Sequence, residues 1–521
     1  MKIKNLIIGA GPGGIQLGYF LSKRNEDYLI VEKSDTAGSF FQSLPRHNKL
    51  ISINKVHTGF DNPEINLRWD WNSLLTDKKD KPLLFKDYSK EYFPKANLFV
   101  DYLNDFVGTY NLNVSYSTTV LNISKNQDNL FVVKTDKETY YAEKVICGTG
   151  ISKSYIPYFE GVEYTETYKS FDMDPKRYSN KRVMVVGKGN SGLETADFLI
   201  EHASVIHLIS PNPVKLAWKT HYVGHVRAIN NNFLDTYQLK SQNTILDADI
   251  EKVELLKNGD KRVHFTYNHA EGQRLTLDVD YIIMCTGFMF DDTMFDKETC
   301  AVEISDCGKF PKMTSEWEST SVKDLYFAGV LTHFRDYQKS FSGFIHGFRY
   351  NSRCLDQILN VKENNLGLES TDFEFDLERL IRIFIDRINE DSAMFQQPGF
   401  IGDVYVLNKI DEKISLIKGI PVDYFKDKKC DGKIYFQITM EYGKLDGILD
   451  PFNIYRYPDD GQKSAFIHPI CRMYNGKDLI KEYHLPEDLE NNWDNEMYIS
   501  PFRNFLQKIW SLKELETKIT V

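Results

Sequence analysis

No Cys-x-x-Cys occurs in the 521 residues, and the seven cysteines, Cys147, Cys285, Cys300, Cys307, Cys354, Cys430 and Cys471, are scattered. None has a histidine partner at zinc-finger spacing, so a structural zinc site and a dithiol relay both lack their usual ligands. Buried free thiols are the expectation. The closest pair, Cys300 and Cys307, is near enough in sequence to form a disulfide, but separation along the chain does not set the geometry such a bond needs. Also missing is any uninterrupted apolar stretch of the roughly 18 residues that a membrane span requires. The 64 basic residues form no block and face 74 acidic ones, for a net charge of -10, which excludes a nucleic-acid backbone as an expected partner. There is no low-complexity tract and no solenoid period. The apolar run near Met1 stops at the glycines after Ile8 with no cleavage-like site, and the last residues, Lys518 to Val521, form no retention or peroxisomal address. A cytoplasmic protein is the expectation.

What is present is ample apolar material, 42% of residues, with 26% charged; the length suggests about three domains. Asn5 to Ile8, Gly9 to Gly14, Ile15 to Lys23 and Tyr28 to Val31 follow the order strand, glycine turn, helix, strand. A second βαβ unit begins at Arg182, with Gly187 to Gly192 as its turn, Leu193 to His202 as helix and Ser204 to Ile209 as the next strand. The polar segment from Asp172 to Lys181 between them has the character of a linker. Three further short strands run into small-residue turns: Lys144 to Cys147 into Gly148-Thr149-Gly150, Tyr281 to Cys285 into Thr286-Gly287, and Leu325 to Ala328 into Gly329. Parallel sheets place cofactors at such strand ends. Beyond about Val361 an acidic helix-like stretch, Asp372 to Asn389, precedes alternating segments such as Lys433 to Ile438, which predict an appended, largely β domain.

Gly9, Gly11 and Gly14 fit G-x-G-x-x-G: the first glycine permits the tight turn, the second lets backbone approach a pyrophosphate, and the third lets helix and strand pack closely. Glu32 ends the second strand, where an acid accepts hydrogen bonds from ribose hydroxyls. The second turn, Gly187-Lys188-Gly189-Asn190-Ser191-Gly192, has the same spacing, but its second strand ends at Ser210 without an acid. An acid there would repel a 2′-phosphate. Its absence, with Lys215 and Lys219 downstream, leans toward NADPH, although lysines of this kind are also ordinary solvated charges. Two nucleotide sites in one chain imply electron transfer from a nicotinamide to a flavin.

These motifs resemble the two-dinucleotide-binding-domain flavoproteins, and more narrowly the flavin-containing (class B) monooxygenases. More closely, Pro45 to Lys55, Leu67 to Leu75, Leu216 to Gly224 and Gly343 to Tyr350 are similar to the FAD-dependent oxidoreductase group that includes the ER flavoprotein associated with degradation. The resemblance covers roughly residues 1–360. It implies an α/β fold with two Rossmann-like domains: an FAD domain over residues 1–160 and 310–360, interrupted by an NAD(P)H domain over residues 161–309, with residues 361–521 appended as substrate cover, partner contact or oligomer contact. The FAD site would then draw on Gly9, Gly11, Pro12, Gly13, Gly14, Glu32, Lys33, Phe41, Val120, Thr149, Gly150 and Gly329, and the NADPH site on Gly187, Gly189, Asn190, Ser191, Gly192, Glu194, Ser210, Lys219, Thr286 and Gly287. Phe41 stands where the family usually has Trp.

The resemblance further implies a monooxygenase in which a flavin C4a-peroxide oxygenates a nitrogen, sulfur or ketone carbon, with O2 and a small substrate, free or tethered to a partner protein, as reactants. Asn54 matches the active-site asparagine of the monooxygenases, and a turn cap is its other reading. The F-x-G-x-x-x-H element is present as Phe159 to Thr165, with Thr165 in the histidine position. A flavin reductase of a disulfide or other acceptor, and a flavin-stabilised interaction protein, are the alternatives.

Overall fold

The structure, a computed structural model, describes residues 1–77, 82–238, 243–408, 413–444, 450, 453–454 and 460–511. The terminal residues Lys518 to Val521 lie outside them. Lys2–Ile8 (β1) buries its last four side chains, as a strand covered on both faces of a sheet must. Pro12–Lys23 (α1) and Tyr28–Val31 (β2) complete the first βαβ unit, and Ala96–Thr109 (α2) leads to Val114–Ser115 (β3). Val120–Lys125 (β4), Phe131–Thr135 (β5) and Thr139–Cys147 (β6) form an antiparallel meander. The strand order is β3-β2-β1-β6-β5-β4, with β1 parallel to both β2 and β6.

The second unit contains Glu166–Thr167 (β7), Arg182–Val186 (β8), Asn190–Leu199 (α3), Val205–Ser210 (β9) and Thr244–Leu255 (β10). Lys261–Tyr267 (β11), Arg274–Val279 (β12) and Tyr281–Met284 (β13) complete it. Its sheet runs β12-β11-β10-β9-β8-β13-β7. The segment expected to be a linker is instead folded onto this unit: Pro175–Tyr178 forms a 3-10 turn, and the fully buried Tyr178 packs edge-on against Tyr281.

The chain then returns to the first sheet. Leu325–Phe327 (β14) pairs parallel with Val145 to Cys147, so that β6 shares one edge between β5 and β14. A 3-10 segment, Gly329–Phe334, follows, and then the 20-residue helix Ile345–Asn364 (α4), which packs along α1. The discontinuous first domain expected from the sequence is therefore present.

The third unit is Thr371–Glu374 (β15), Leu377–Glu390 (α5), Ile401–Asn408 (β16), Lys413–Pro421 (β17), Ile434–Glu441 (β18), His468–Asn475 (β19), Asp478–His484 (β20) and Glu496–Ser511 (α6). The order is β15-β17-β16-β18-β19-β20, antiparallel throughout. The acidic stretch from Asp372 is not helical from its start. It opens as β15, and the helix begins only where the Asp376 carboxylate caps it by accepting from the Arg379 amide at 2.6 Å. Leu380, Ile381, Phe384, Ile385 and Ile388 then form one apolar face buried on the sheet, with Phe384 4.2 Å from the Tyr405 ring. No helix among the described residues is long and apolar enough to cross a membrane.

Two buried guanidinium groups join the third unit and α4 to residues 67–73. Arg349, fully buried on α4, donates from Nη1 to the carbonyls of Asp70 (2.9 Å) and Ser73 (2.8 Å) and from Nη2 to that of Leu67 (2.8 Å). Arg68 donates to the carbonyls of Ile388 at 2.9 Å and Asp391 at 3.1 Å. Replacing Arg349 by Leu would strand the Asp70 and Ser73 carbonyls away from water, at about 1 kcal/mol or more each, and leave that of Leu67 with the 3.3 Å bond from Gln396 Nε2. Arg349→Leu is therefore expected to lower unfolding stability by about 2 kcal/mol or more, read from urea denaturation followed by tryptophan fluorescence.

Candidate functional site

The first glycine turn is shaped by what it cannot hold. Gly9 has φ +103°, and a Cβ on it would lie 2.9 Å from the Gly148 carbonyl oxygen. A Cβ on Gly14 would lie 2.1 Å from the Gly9 oxygen, and one on Gly13 would lie 2.3 Å from Cα of Gly329. Gly11 differs, with open space and no neighbour within 4 Å. It is the N-cap of α1, with Pro12 next and no side chain capping the helix. The first-turn amides of a twelve-residue helix, the positive end of its dipole, thus face open space, and a pyrophosphate fits there.

Glu32 is buried at the end of β2, with its carboxylate accepting from Ala10 N (2.8 Å), Ser34 N (3.0 Å) and Ser39 Oγ (3.1 Å). The acid expected to meet a ribose also ties the 32–39 segment to the glycine turn. A carboxylate has about four acceptor positions, so capacity remains for a hydroxyl. Thr149 and Gly150 follow β6 on the same side, Thr149 Oγ1 standing 3.3 Å from Cys147 Sγ and Gly150 having φ +70°. Gly329, with φ +65°, closes the turn from the far end of the domain. Val120 lies at the start of β4, Phe41 packs edge-on against Phe99 at 4.8 Å, and Lys33 is exposed beside Glu32.

The second turn repeats this construction. A Cβ on Gly187 would lie 2.3 Å from the Cys285 oxygen and one on Gly192 1.8 Å from the Gly187 oxygen, while Gly189 faces open space as the uncapped N-cap of α3. Asn190 fastens a loop: its Nδ2 donates to the His225 carbonyl at 2.9 Å, and its Oδ1 accepts from Arg227 N at 2.9 Å and Asn230 Nδ2 at 2.9 Å. Ser191 lines a small cavity of about 10 Å³ with Tyr168, Cys285 and Gly287. Thr286 Oγ1 bonds the Tyr155 carbonyl, and Lys215 and Lys219 are exposed. Ser210 lies in register with Asp247 of β10, so a carboxylate does reach this strand end, from the neighbouring strand. The buried Lys188 ammonium pairs with it and also donates to the Leu246 carbonyl at 3.0 Å. Sequence reading did not find Asp247, because its proximity comes from strand register.

Asn54 is buried, with Nδ2 donating to the carbonyls of Ser89 (2.7 Å) and Glu91 (3.3 Å) and Oδ1 meeting no partner among the described residues. Both of its amide hydrogens are spent on the local fold. In the position expected for histidine, Thr165 donates to the Val162 carbonyl at 2.7 Å. All seven cysteines are free, with Cys300 buried and Cys307 exposed. Among the described residues no cluster of His, Cys, Asp and Glu could hold a metal ion.

Where the second unit meets residues 44–47, the Tyr168 hydroxyl accepts from Arg46 N at 3.1 Å and donates to Glu194. Burial raises the Glu194 carboxyl to about 7, against the opposing pull of the Tyr168 bond. A carboxyl raised on folding stabilises the fold fully below its unfolded value near 4.5 and loses that contribution as pH climbs to about 7. Stability should therefore fall across this window by about 3 kcal/mol at most, and Glu194→Gln should flatten the profile in denaturation at stepped pH. At the first turn, Gly13→Ala should cost about 1–3 kcal/mol of stability. Gly11→Ala should leave stability unchanged in the same denaturation assay but lower flavin content, measured as the absorbance ratio at 450 and 280 nm on the order of tenfold.

Residues 6–329, which span both glycine turns, match the family described as pyridine nucleotide-disulphide oxidoreductase. FAD-dependent oxidoreductase domain-containing protein 2 of Mus musculus is 33% identical over 559 residues, covering 96% of this chain and 83% of the mouse protein. Its counterpart in Danio rerio is 32% identical over 569 residues, covering 96% and 82%. Among solved structures, bacillithiol disulfide reductase Bdr (YpdA) from Staphylococcus aureus superposes with a TM-score of 0.52 at 18% identity, covering 70% of this chain and 99% of that one. A flavin-containing monooxygenase from Stenotrophomonas maltophilia gives 0.51 at 17%, covering 70% and 99%. These two structures share the fold. With two uncapped helix N-termini at paired glycine turns and a family match that extends over both, the chain belongs to the pyridine nucleotide-disulphide oxidoreductase family.

Proposed function

We propose that this chain is an FAD- and NADPH-dependent oxidoreductase that passes electrons directly to a small acceptor, with dioxygen and an organic substrate as that acceptor pair, so that the overall reaction is a monooxygenation. Bound FAD would supply the redox centre between the nicotinamide and the acceptor. The placement of the cysteines carries this reading. Cys147 ends β6 and Cys285 follows β13 beneath the two turns, but both are buried, and burial raises the Cys147 thiol and pushes Cys285 to about 12. Protonated thiols below separate turns do not make a dithiol relay. The only exposed cysteine is Cys307, without a disulfide partner.

Gly11 and Gly189 leave the backbone open to the two pyrophosphates, and Glu32 holds the first turn in shape. At the second turn Lys188 balances the charge of Asp247, which would otherwise repel a 2′-phosphate beside Ser210. Asn54 acts in the wall of the site, since its donors are already engaged. Hydrogen bonds to a developing oxygen charge come from other groups. A second reading, reduction of a small external disulfide, is favoured by the family to which the chain belongs and by the Bdr relative of Bacillus subtilis, named a bacilliredoxin reductase, which is 24% identical over 332 residues.

The test is anaerobic reduction by NADPH followed by rapid mixing with oxygenated buffer. The expected result is bleaching of the flavin, then an absorbance transient distinct from the reduced and oxidised spectra, with NADPH preferred to NADH. Bleaching without the transient, together with NADPH oxidation by glutathione disulfide under nitrogen, would select the disulfide reading instead. No bleaching would reject both.

A further inference from the structure

The two glycine turns are joined by one side-chain hydrogen bond chain. Tyr222 lies in the loop that Asn190 of the second turn holds through the His225 carbonyl at 2.9 Å. His333 lies four residues beyond Gly329, which meets Gly13 of the first turn. Between them, Tyr222 Oη stands 2.8 Å from His333 Nε2, and His333 Nδ1 stands 3.1 Å from Asp336 Oδ1. The other carboxylate oxygen of Asp336 accepts from Ser342 N at 3.1 Å. His333 and Asp336 are each 3% exposed, whereas Tyr222 is only partly buried, so the chain has one accessible end.

The surroundings are built for this imidazole. A Cβ on Gly343 would lie 2.9 Å from the His333 ring, and a Cβ on Gly224 2.4 Å from the Tyr222 ring. Both glycines belong to stretches that stand out in the sequence, and each makes room for a member of the chain. The Tyr222 and His333 rings are nearly parallel at 5.9 Å, and Phe310, Tyr337 and Phe344 close the remaining sides. The titratable groups around the chain are His225 beside Tyr222 (4.9 Å between rings), Tyr337 on the His333 segment, and Lys309, whose ammonium lies over the Phe310 and Tyr337 rings. Arg335 turns away to pair with Asp423.

We propose that Tyr222, His333 and Asp336 form a proton relay that delivers the proton consumed in each turnover. This rests on the flavoenzyme reading above. Reducing dioxygen to hydrogen peroxide, splitting a disulfide into two thiols, or inserting one oxygen atom with release of water each takes two electrons and two protons. NADPH supplies both electrons and one proton on becoming NADP+, and the second proton comes from solvent. An ionised Asp336 only accepts, so Nδ1 of His333 carries a proton toward it and Nε2 faces the tyrosine. When His333 is charged, Nε2–H donates to Tyr222 Oη, which frees the phenol proton to point at the acceptor. The Tyr222 O–H bond then breaks toward the acceptor as the Nε2 proton moves onto the phenol oxygen, leaving neutral His333, which is recharged by the reverse movement through the same Tyr222 hydroxyl once water replaces the acceptor. Asp336 positions the ring through its contact with Nδ1. Burial of Tyr222 raises its phenol, which keeps it protonated between turnovers.

The test compares two electron acceptors on the FAD-loaded full chain: dioxygen, read as hydrogen peroxide, and ferricyanide, which takes electrons without protons. Tyr222→Phe should slow NADPH-driven peroxide formation by about 100-fold, abolish its solvent deuterium isotope effect and leave ferricyanide reduction within about twofold of wild type. Asp336→Asn should slow peroxide formation while sparing ferricyanide reduction, because the amide no longer fixes the His333 proton at Nδ1. Ring nitrogen NMR of 15N-histidine protein without nucleotide should show His333 protonated at Nδ1, with the Nε2 signal shifted in Tyr222→Phe. Equal losses with both acceptors, no loss with either, or a His333 ring protonated at Nε2 alone would overturn the relay. Should wild type oxidise NADPH with neither acceptor, the flavoenzyme reading fails, and the ring spectra still decide whether the hydrogen-bonded chain exists.

Discussion

The closing of the first domain depends on a hydrogen atom where other residues carry a methyl group. Gly13 and Gly329 approach so closely that a Cβ on Gly13 would fall 2.3 Å from Cα of Gly329. The chain makes this contact only after completing the whole second unit, when β14 pairs with β6 and α4 settles along α1. Ser352 of α4 adds a contact of its own, its hydroxyl 3.5 Å from the Gly13 carbonyl. Because the glycine turn and the returning segment fix each other, the residues after Gly329 are placed over the first helix N-terminus. His333 is among them, and through Tyr222 and Asn190 the same contact orients the loop of the second turn. The two nucleotide turns therefore share one frame.

That frame is secured by cations buried against carbonyl oxygens. Arg349 and Arg68 satisfy backbone acceptors of residues 67–73 and 388–391, and a guanidinium with five fixed donors can hold several segments at once. Elsewhere in the third unit the pairing is with carboxylates, as where Arg387 binds the fully buried Asp403 side chain and Asp391. The third unit therefore docks on the first through directed hydrogen bonds as well as apolar contact.

Both glycine turns and the acid at Glu32 are legible in the sequence because each is encoded locally, as a strand, a fixed glycine spacing and a helix, whereas the interruption of the first domain follows only from the resemblance. What local pattern does not encode is who meets whom across strands. Asp247 reaches the end of β9 only through register, so the missing acid after Ser210 was visible and its neutralised substitute was not. The polar stretch from Asp172 to Lys181 has the composition of a linker, yet Tyr178 inside it is buried against Tyr281, a partner about a hundred residues away. Asn190 was marked for cofactor binding by its place in the turn, and its side chain is occupied in holding the loop that presents Tyr222. The helix expected from Asp372 began late because Asp376 stops one element and caps the next.

The division of labour between electrons and protons follows from the same burial pattern. A thiol relay needs thiolates in reach of each other, and burial holds Cys147 and Cys285 protonated beneath separate turns. On the proposed reading the acceptor then takes its electrons at the flavin itself. In the proposed relay the proton travels through side chains, from the buried His333 and Asp336 to the partly exposed Tyr222 hydroxyl. Buried thiols at the two turns and an Asp336–His333–Tyr222 chain between them, open only at its tyrosine, fit the proposed acceptor, which takes its electrons directly and its proton from the protein.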